Sequence, residues 1–289
     1  MRVCLMLEGQ EGVSWEQWVA LAQAAEDANL DGLFRSDHYR SISRGEPAGA
    51  LDAWVTLAGL AAVTSRIRLG TMVSPVTFRR VPVLAKMVTT VDHISGGRVE
   101  LGLGAGWYES EHEAYGFAFP PLRERMDELD RQLAELIRHW GETPEIQPKP
   151  LQKPHPPIII GGTAKPRTVR AAVAHADEYN TVWPTVDEAR ERKRAVDDAA
   201  RAAGREPLRF SMMTSCVVAD DADDLKQRLA EFRQLSSSDA PEIGGTVEEV
   251  VARLREYESA GVERVMLQHV VHEDVAMVNV LGKVAAQLG

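Results

Sequence analysis

The chain is short of cysteine, of long apolar runs and of positive charge, and each shortage narrows what it can be. Only two cysteines occur in 289 residues, Cys4 and Cys216, and both lie in apolar, strand-like runs. A disulfide framework is not expected; buried thiols in a reducing, cytoplasmic setting are. No run approaches the roughly 18 apolar residues of a membrane span. The apolar start of MRVCLMLEGQ stops at Glu8, too soon for the core of a signal peptide. Lys and Arg total 33 against 43 Asp and Glu, a formal net charge of −10. Such a chain is a poor partner for nucleic acid or anionic membrane, so a small-molecule partner is expected. There is no nucleophile elbow and no P-loop, and the histidines show no metal-ligand spacing.

What is present is a rhythm. Apolar residues make up 44% of the chain, enough for a sizeable core, and strand-like and helix-like segments alternate. The strands read as Arg2–Leu7, Asp31–Arg35, Ile67–Val73, Arg98–Leu103, Ile158–Ile160, Glu178–Trp183, Leu208–Val218 and Glu263–Gln268. Helices are announced by their caps. Ser14-x-x-Gln17, Thr185-x-x-Glu188 and Thr246-x-x-Glu249 are capping boxes, and Pro166 is a favoured first-turn residue. Further helices are expected over Asp52–Thr64, Val81–Ile94, Leu122–Trp140, Asp221–Leu235 and Asp274–Leu288. Gly141–Pro157, with six prolines, reads as a connection, and Ser236–Gly245 as a small polar loop. Tyr108–Pro121 does not look like the start of an amphipathic helix. Eight strands with intervening helices predict an α/β fold of the (β/α)8 TIM-barrel type, one domain over residues 1–289 with insertion loops. A doubly wound open sheet is the alternative.

The stretch VELGLGAGW places Gly102, Gly104 and Gly106 at every second position. A dinucleotide fingerprint needs G-x-G-x-x-G, and Trp107 stands near where the third glycine belongs, so that reading is set aside. In a barrel the working face is the C-terminal rim of the strands, which sorts the unusual residues. Gly104 and Gly106 lie at the mouth of the fourth strand. They either let a flat ligand approach the backbone or serve a tight turn. Gly161-Gly162-Thr163 precedes a helix N-terminus and either cradles a phosphate or is a simple turn; Arg167 and Arg170 either add charge there or are solvated. His38 ends the second strand and either exchanges protons or packs the rim. Glu8 ends the first strand and is either a site acid or a buried, paired carboxylate.

The run LGTMVSPVTFRRVPVLAKMVTTVDHISGGRVELGLGAGW, from Leu69 to Trp107, resembles the luciferase-like monooxygenase superfamily. FRSDHY (Phe34–Tyr39), IIIGGT and TVWP (Thr181–Pro184) agree with it. Within that superfamily the chain is most similar to the branch that uses the deazaflavin coenzyme F420 rather than FMN. The resemblance implies a luciferase-like barrel, a homodimer, and a ring system bound at the C-terminal mouth. It implies a non-prolyl cis peptide at Met72–Val73, just after Thr71, supporting the ring from behind. Asp37 and His38 then lie beside the ring, with His38 and Glu8 as candidate catalytic groups. Cofactor contacts are expected from Asp37, Thr71, Met72, Val73, Gly104, Gly106, Trp107, Gly161, Gly162, Thr163 and Trp183. Trp107 falls where sugar-phosphate dehydrogenase relatives carry an acid, which argues against that substrate; Glu109 and Glu111 stand close by. F420-dependent oxidoreduction of a small organic molecule is the implied activity. The alternatives are an FMN-dependent monooxygenase and a flavin or F420 carrier without turnover.

Overall fold

The computed structural model describes residues 1–43, 48–141 and 143–289. The expected loop Arg40–Ala50 therefore falls partly outside the described residues, as does one position of the proline-rich connection. Among the described residues the strands are β1 (Arg2–Leu7), β2 (Gly32–Arg35), β3 (Arg68–Thr71), β4 (Ser74–Pro75), β5 (Val99–Gly104), β6 (Ile158–Gly162), β7 (Glu178–Val182), β8 (Arg209–Ala219), β9 (Ile243–Thr246) and β10 (Arg264–Gln268). The helices are α1 (Trp15–Asp27), α2 (Ala53–Val63), α3 (Val81–Ser95), α4 (Glu109–Tyr115), α5 (Leu122–Trp140), α6 (Pro166–His175), α7 (Val186–Ala202), α8 (Ala222–Leu235), α9 (Val247–Ser259) and α10 (Val275–Leu288).

The strands pair in parallel around a closed ring, β1-β2-β3-β5-β6-β7-β8-β10 and back to β1. Closure is what separates a (β/α)8 barrel from the doubly wound alternative. The capping boxes at Ser14 and Thr185 form as read, and Gly96 stops α3 with a φ of 66°. Both cysteines are free and buried, and burial pushes the Cys216 thiol up to about 12.

The two ends of the barrel differ. At the N-terminal end the fully buried Arg264 guanidinium sits between Glu100 at 2.6 Å and Glu178 at 2.7 Å. Arg68 adds a second contact to Glu100. This plug of charge is satisfied internally, as a buried ion set must be. Above it Cys4, Met6, Phe34, Ile159 and Met266 fill the interior. The open end is therefore the C-terminal one.

Three local differences from the sequence reading bear on the site. The third strand ends at Thr71; the peptide Met72–Val73, which follows, is cis, and β4 then resumes the pairing on β5. Tyr108–Pro121 does contain a helix, α4. Its buried side chains are the polar Glu111 and His112, so no apolar stripe announces it. His112 is anchored at both ring nitrogens, to Thr77 Oγ1 at 2.6 Å and to the Tyr108 carbonyl at 2.7 Å. The polar loop Ser236–Gly245 likewise holds most of β9, which docks on Cys216–Ala219, the part of β8 that runs past the ring.

The glycines of β5 answer to the cis turn. A Cβ on Gly102 would lie 2.1 Å from the Thr71 carbonyl oxygen, and one on Gly104 would lie 2.7 Å from a Val73 methyl. The missing side chains thus make room for the bulge of the neighbouring strand. Gly106 has a φ of 78°, the turn conformation that glycine adopts without strain.

Candidate active site

A cleft opens at the C-terminal mouth in two connected parts. The inner slot, about 500 Å³, is mostly apolar and runs from the Met72–Val73 bulge past Gly104 to Gly161, Gly162 and Val182. The outer chamber, about 260 Å³, is the richer in polar side chains and holds Glu8, Gln10, Ser215, Glu242 and Gln268. Five residues line both parts: His38, Met72, Trp107, Trp183 and Met213. They form the neck where a ligand in the slot meets one in the chamber. Trp107 and Trp183 remain 62% and 52% exposed, large apolar faces that a flat ligand would cover. Trp183 takes a φ of 42°, an uncommon backbone state for a bulky residue.

His38 is the neck's titratable ring. Its Nδ1 lies 2.9 Å from Glu111 Oε2, and its ring packs nearly perpendicular to those of Trp107 and Tyr108. Burial by itself would lower the His38 pKa. The Glu111 hydrogen bond and charge, with the charges of Glu8 and Asp37, outweigh burial and raise it above the ordinary histidine value. Glu8 faces the chamber, and its two oxygens accept from Gln268 Nε2 at 2.5 Å and from Gln10 Nε2 at 2.7 Å. It is both a lining acid and a paired one.

Most of the expected cofactor residues converge here: Met72, Val73, Gly104, Gly106, Trp107, Gly161, Gly162 and Trp183 all line the inner slot. Three do not. The Asp37 carboxylate is buried and taken up by Ser74 Oγ at 2.5 Å and Arg79 Nη1 at 2.6 Å. Thr71 is buried, and its hydroxyl donates to the Gly102 carbonyl at 3.0 Å. Both brace the bulge from behind. Thr163 is exposed and lies outside the slot lining. Arg167 is engaged by Asp127 and Asp130, and Arg170 faces a groove between α6 and α7 outside the barrel. Neither reaches the slot.

Two participants escaped the sequence reading. Asn180 on β7 is buried among the slot-lining residues. Its Nδ2 donates to Ser211 Oγ at 2.9 Å, and its Oδ1 has no hydrogen-bond partner. Alternation along β7 puts Glu178, Asn180 and Val182 on one face, a signal that pairing with the strand end could have exposed. Arg79 ties Asp37, Tyr39 and Asp52 together under the neck. No spacing rule links Arg79 to those positions, because the contact joins two separate loops, β2–α2 and β4–α3.

A luciferase-like monooxygenase family model matches residues 3–242. The chain belongs to that family. An uncharacterised protein of Mycobacterium tuberculosis is 32% identical over 227 residues, 74% of this chain and 73% of that protein. An F420-dependent glucose-6-phosphate dehydrogenase of Kineococcus radiotolerans is 39% identical over 123 residues, 42% of this chain and 36% of that enzyme. An FMNH2-dependent dimethylsulfone monooxygenase of Pseudomonas putida is 26% identical over 181 residues, 57% of this chain and 48% of that enzyme. Among solved structures, an F420-dependent secondary alcohol dehydrogenase superposes with a TM-score of 0.82 at 16% identity, covering 98% of each chain. The family's relatives are thus F420- or flavin-dependent oxidoreductases and monooxygenases, and this chain is an enzyme of that kind. Among the described residues, no helix is long and apolar enough to cross a membrane.

Proposed function

We propose that the protein is a coenzyme F420-dependent oxidoreductase acting on a small organic substrate. The observation that carries this reading is His38, a proton-handling ring at the neck between an apolar slot and a polar chamber. A hydride exchanged at an oxygen-bearing carbon must be matched by a proton at the oxygen, and the neck is where the two ligands would meet. The residues present fit a deazaflavin. Gly104, Gly161 and Gly162 offer backbone close to a flat ring, and Asn180 Oδ1 is a buried acceptor lacking a donor, which a ring N–H supplies. The N-terminus of α6 has no side-chain cap, which leaves its N–H groups open to a phosphate beside Gly161-Gly162. When bound, the deazaflavin supplies two-electron hydride chemistry. Of the chain's own groups, Val73 and the two tryptophans orient the ring and exclude water, Glu8 with Gln10 and Gln268 receives the substrate's polar groups, and His38 Nε2 moves the proton.

The Kineococcus relative supports F420 as the cofactor, whereas its sugar-phosphate substrate is not carried over, because Trp107 stands in the position expected of the acid. The Pseudomonas relative supports FMN as the second reading. Fluorescence titration of the apoprotein with F420 and FMN side by side separates them: F420 is expected to bind more tightly. Equal or tighter FMN binding moves the assignment to the flavin monooxygenases. Turnover of any substrate excludes a mere carrier.

A homodimer is part of the proposal. An apolar groove of about 520 Å³ lies between α2 and α3, with Val55 and Val83 exposed along it. Sedimentation equilibrium of the purified chain is expected to give twice the monomer mass; a monomer across the micromolar range removes the dimer.

A further inference from the structure

We propose that Glu111 is the positioning residue that makes His38 an acid, pinning Nδ1–H and leaving Nε2 as the nitrogen that hands a proton to a substrate oxygen. The inference rests on the reading of His38 as the group that handles the proton. The geometry begins with the carboxylate itself. Glu111 is fully buried, on a helix whose inward side chains are polar. One of its oxygens accepts from the backbone N–H groups of Tyr39 and Arg40. The other is left for His38 Nδ1 at 2.9 Å. A carboxylate accepts, so Nδ1 must carry the hydrogen, and the tautomer is fixed by position.

The ring cannot easily swing away from this pairing. Trp107 and Tyr108 pack edge-to-face against it, with centroids 5.8 Å and 6.1 Å away. The nitrogen that remains, Nε2, belongs to a side chain lining both slot and chamber.

The charges around the ring agree in sign. Glu111 on α4, Glu8 after β1 and Asp37 beside it in sequence all favour the imidazolium, and together they outweigh the opposing effect of burial. Of the cations beside Asp37, Arg79 is bound to Asp37 and Asp52, and Arg35 donates to the Ser36 and Leu51 carbonyls. In the step itself the Nε2–H bond breaks and its electron pair stays on nitrogen. An O–H bond forms on a substrate oxygen that carries the negative charge of a carbonyl accepting the hydride that the reduced deazaflavin of the proposed function would supply. Neutral His38 then recovers its proton from water. The substrate class that fits is a ketone or aldehyde and its alcohol.

The alternative is that Glu111 only ties residues 39 and 40 to α4. The decisive measurement is a ¹⁵N NMR titration of the His38 ring in wild type and Glu111→Gln, which needs neither cofactor nor substrate. In wild type, Nδ1 is expected to stay protonated throughout while Nε2 titrates, above the ordinary value of about 6.5. In Glu111→Gln the titration is expected to move to lower pH, and the alkaline limb of carbonyl reduction to move with it. The linkage has the same sign. A raised folded pKa means the pair stabilises the fold fully below the ordinary histidine value and ceases to do so as pH rises through the folded one. Glu111→Gln should therefore lose more Tm at acid pH than at alkaline pH. A His38 titration unmoved in the folded variant overturns the proposal. If the variant does not fold, the wild-type spectrum still decides, because Nδ1 as the titrating nitrogen overturns it equally. A shifted titration combined with undiminished turnover in His38→Ala would instead remove the proton role of His38 and leave the Glu111 coupling standing.

Discussion

Replacing His38 by alanine is expected to lower turnover by about 10²–10⁴-fold, the usual span for loss of a general acid or base. Cofactor affinity should change far less. On the proposed reading the ring would be held mainly by the Val73 bulge, the glycine backbone and the two tryptophans that line the slot, while His38 lies at the neck. The contrast with a packing role is quantitative. A packing histidine would cost affinity or stability, while a fully loaded variant would react at the wild-type rate. Dissociation constants and single-turnover rates on the same variant, with a substrate found by screening ketones and alcohols, separate the two. Full single-turnover rate with weakened binding ends the catalytic role.

Gly161→Asp should weaken cofactor binding by about 10²-fold while the barrel stays folded. A Cβ at Gly161 meets only Asn180, its carbonyl oxygen at 3.5 Å and its Cβ at 4.0 Å, ordinary van der Waals contact, so the backbone tolerates a side chain. Gly161 shares the inward face of β6 with Ile159, so the new carboxylate would stand in the slot beside Asn180. There it would crowd the ligand and repel a phosphate held at the uncapped N-terminus of α6, and like-charge juxtaposition at a binding site costs several kcal/mol. Gly161→Ala is the control, since it adds the carbon without the charge. Wild-type affinity in a folded Gly161→Asp protein places the phosphate elsewhere.

The sequence by itself determined the barrel. Helix caps at Ser14, Thr185 and Thr246 are local chemistry, and parallel strands buried on both faces show as apolar runs whatever lies around them. It also determined the rim, because strand ends at Glu8, His38, Gly104 and Gly161 follow from strand boundaries alone. Tertiary structure decided what each rim residue does. Asp37 and Thr71 sit in the same short motifs as His38 and Met72, yet they face the frame of the bulge rather than the cleft. Gly104 reads as room for a ligand or as a turn, and the place of its missing side chain is taken by Val73, as that of Gly102 is by Thr71. The short helix α4 and the strand β9 were invisible because neither carries the apolar period that betrays an element. Each exists through partners far along the chain: Thr77 for His112, Cys216 for Ile243. Glu111 is the plainest case. Between His38 and Glu111 lie 72 residues, and only the pairing of β2 and β5 on either side of β3 brings the two within 2.9 Å. Periodicity and capping act over a few residues of chain, whereas a proton-handling pair is a contact across the mouth, and the folded ring of strands alone sets that distance.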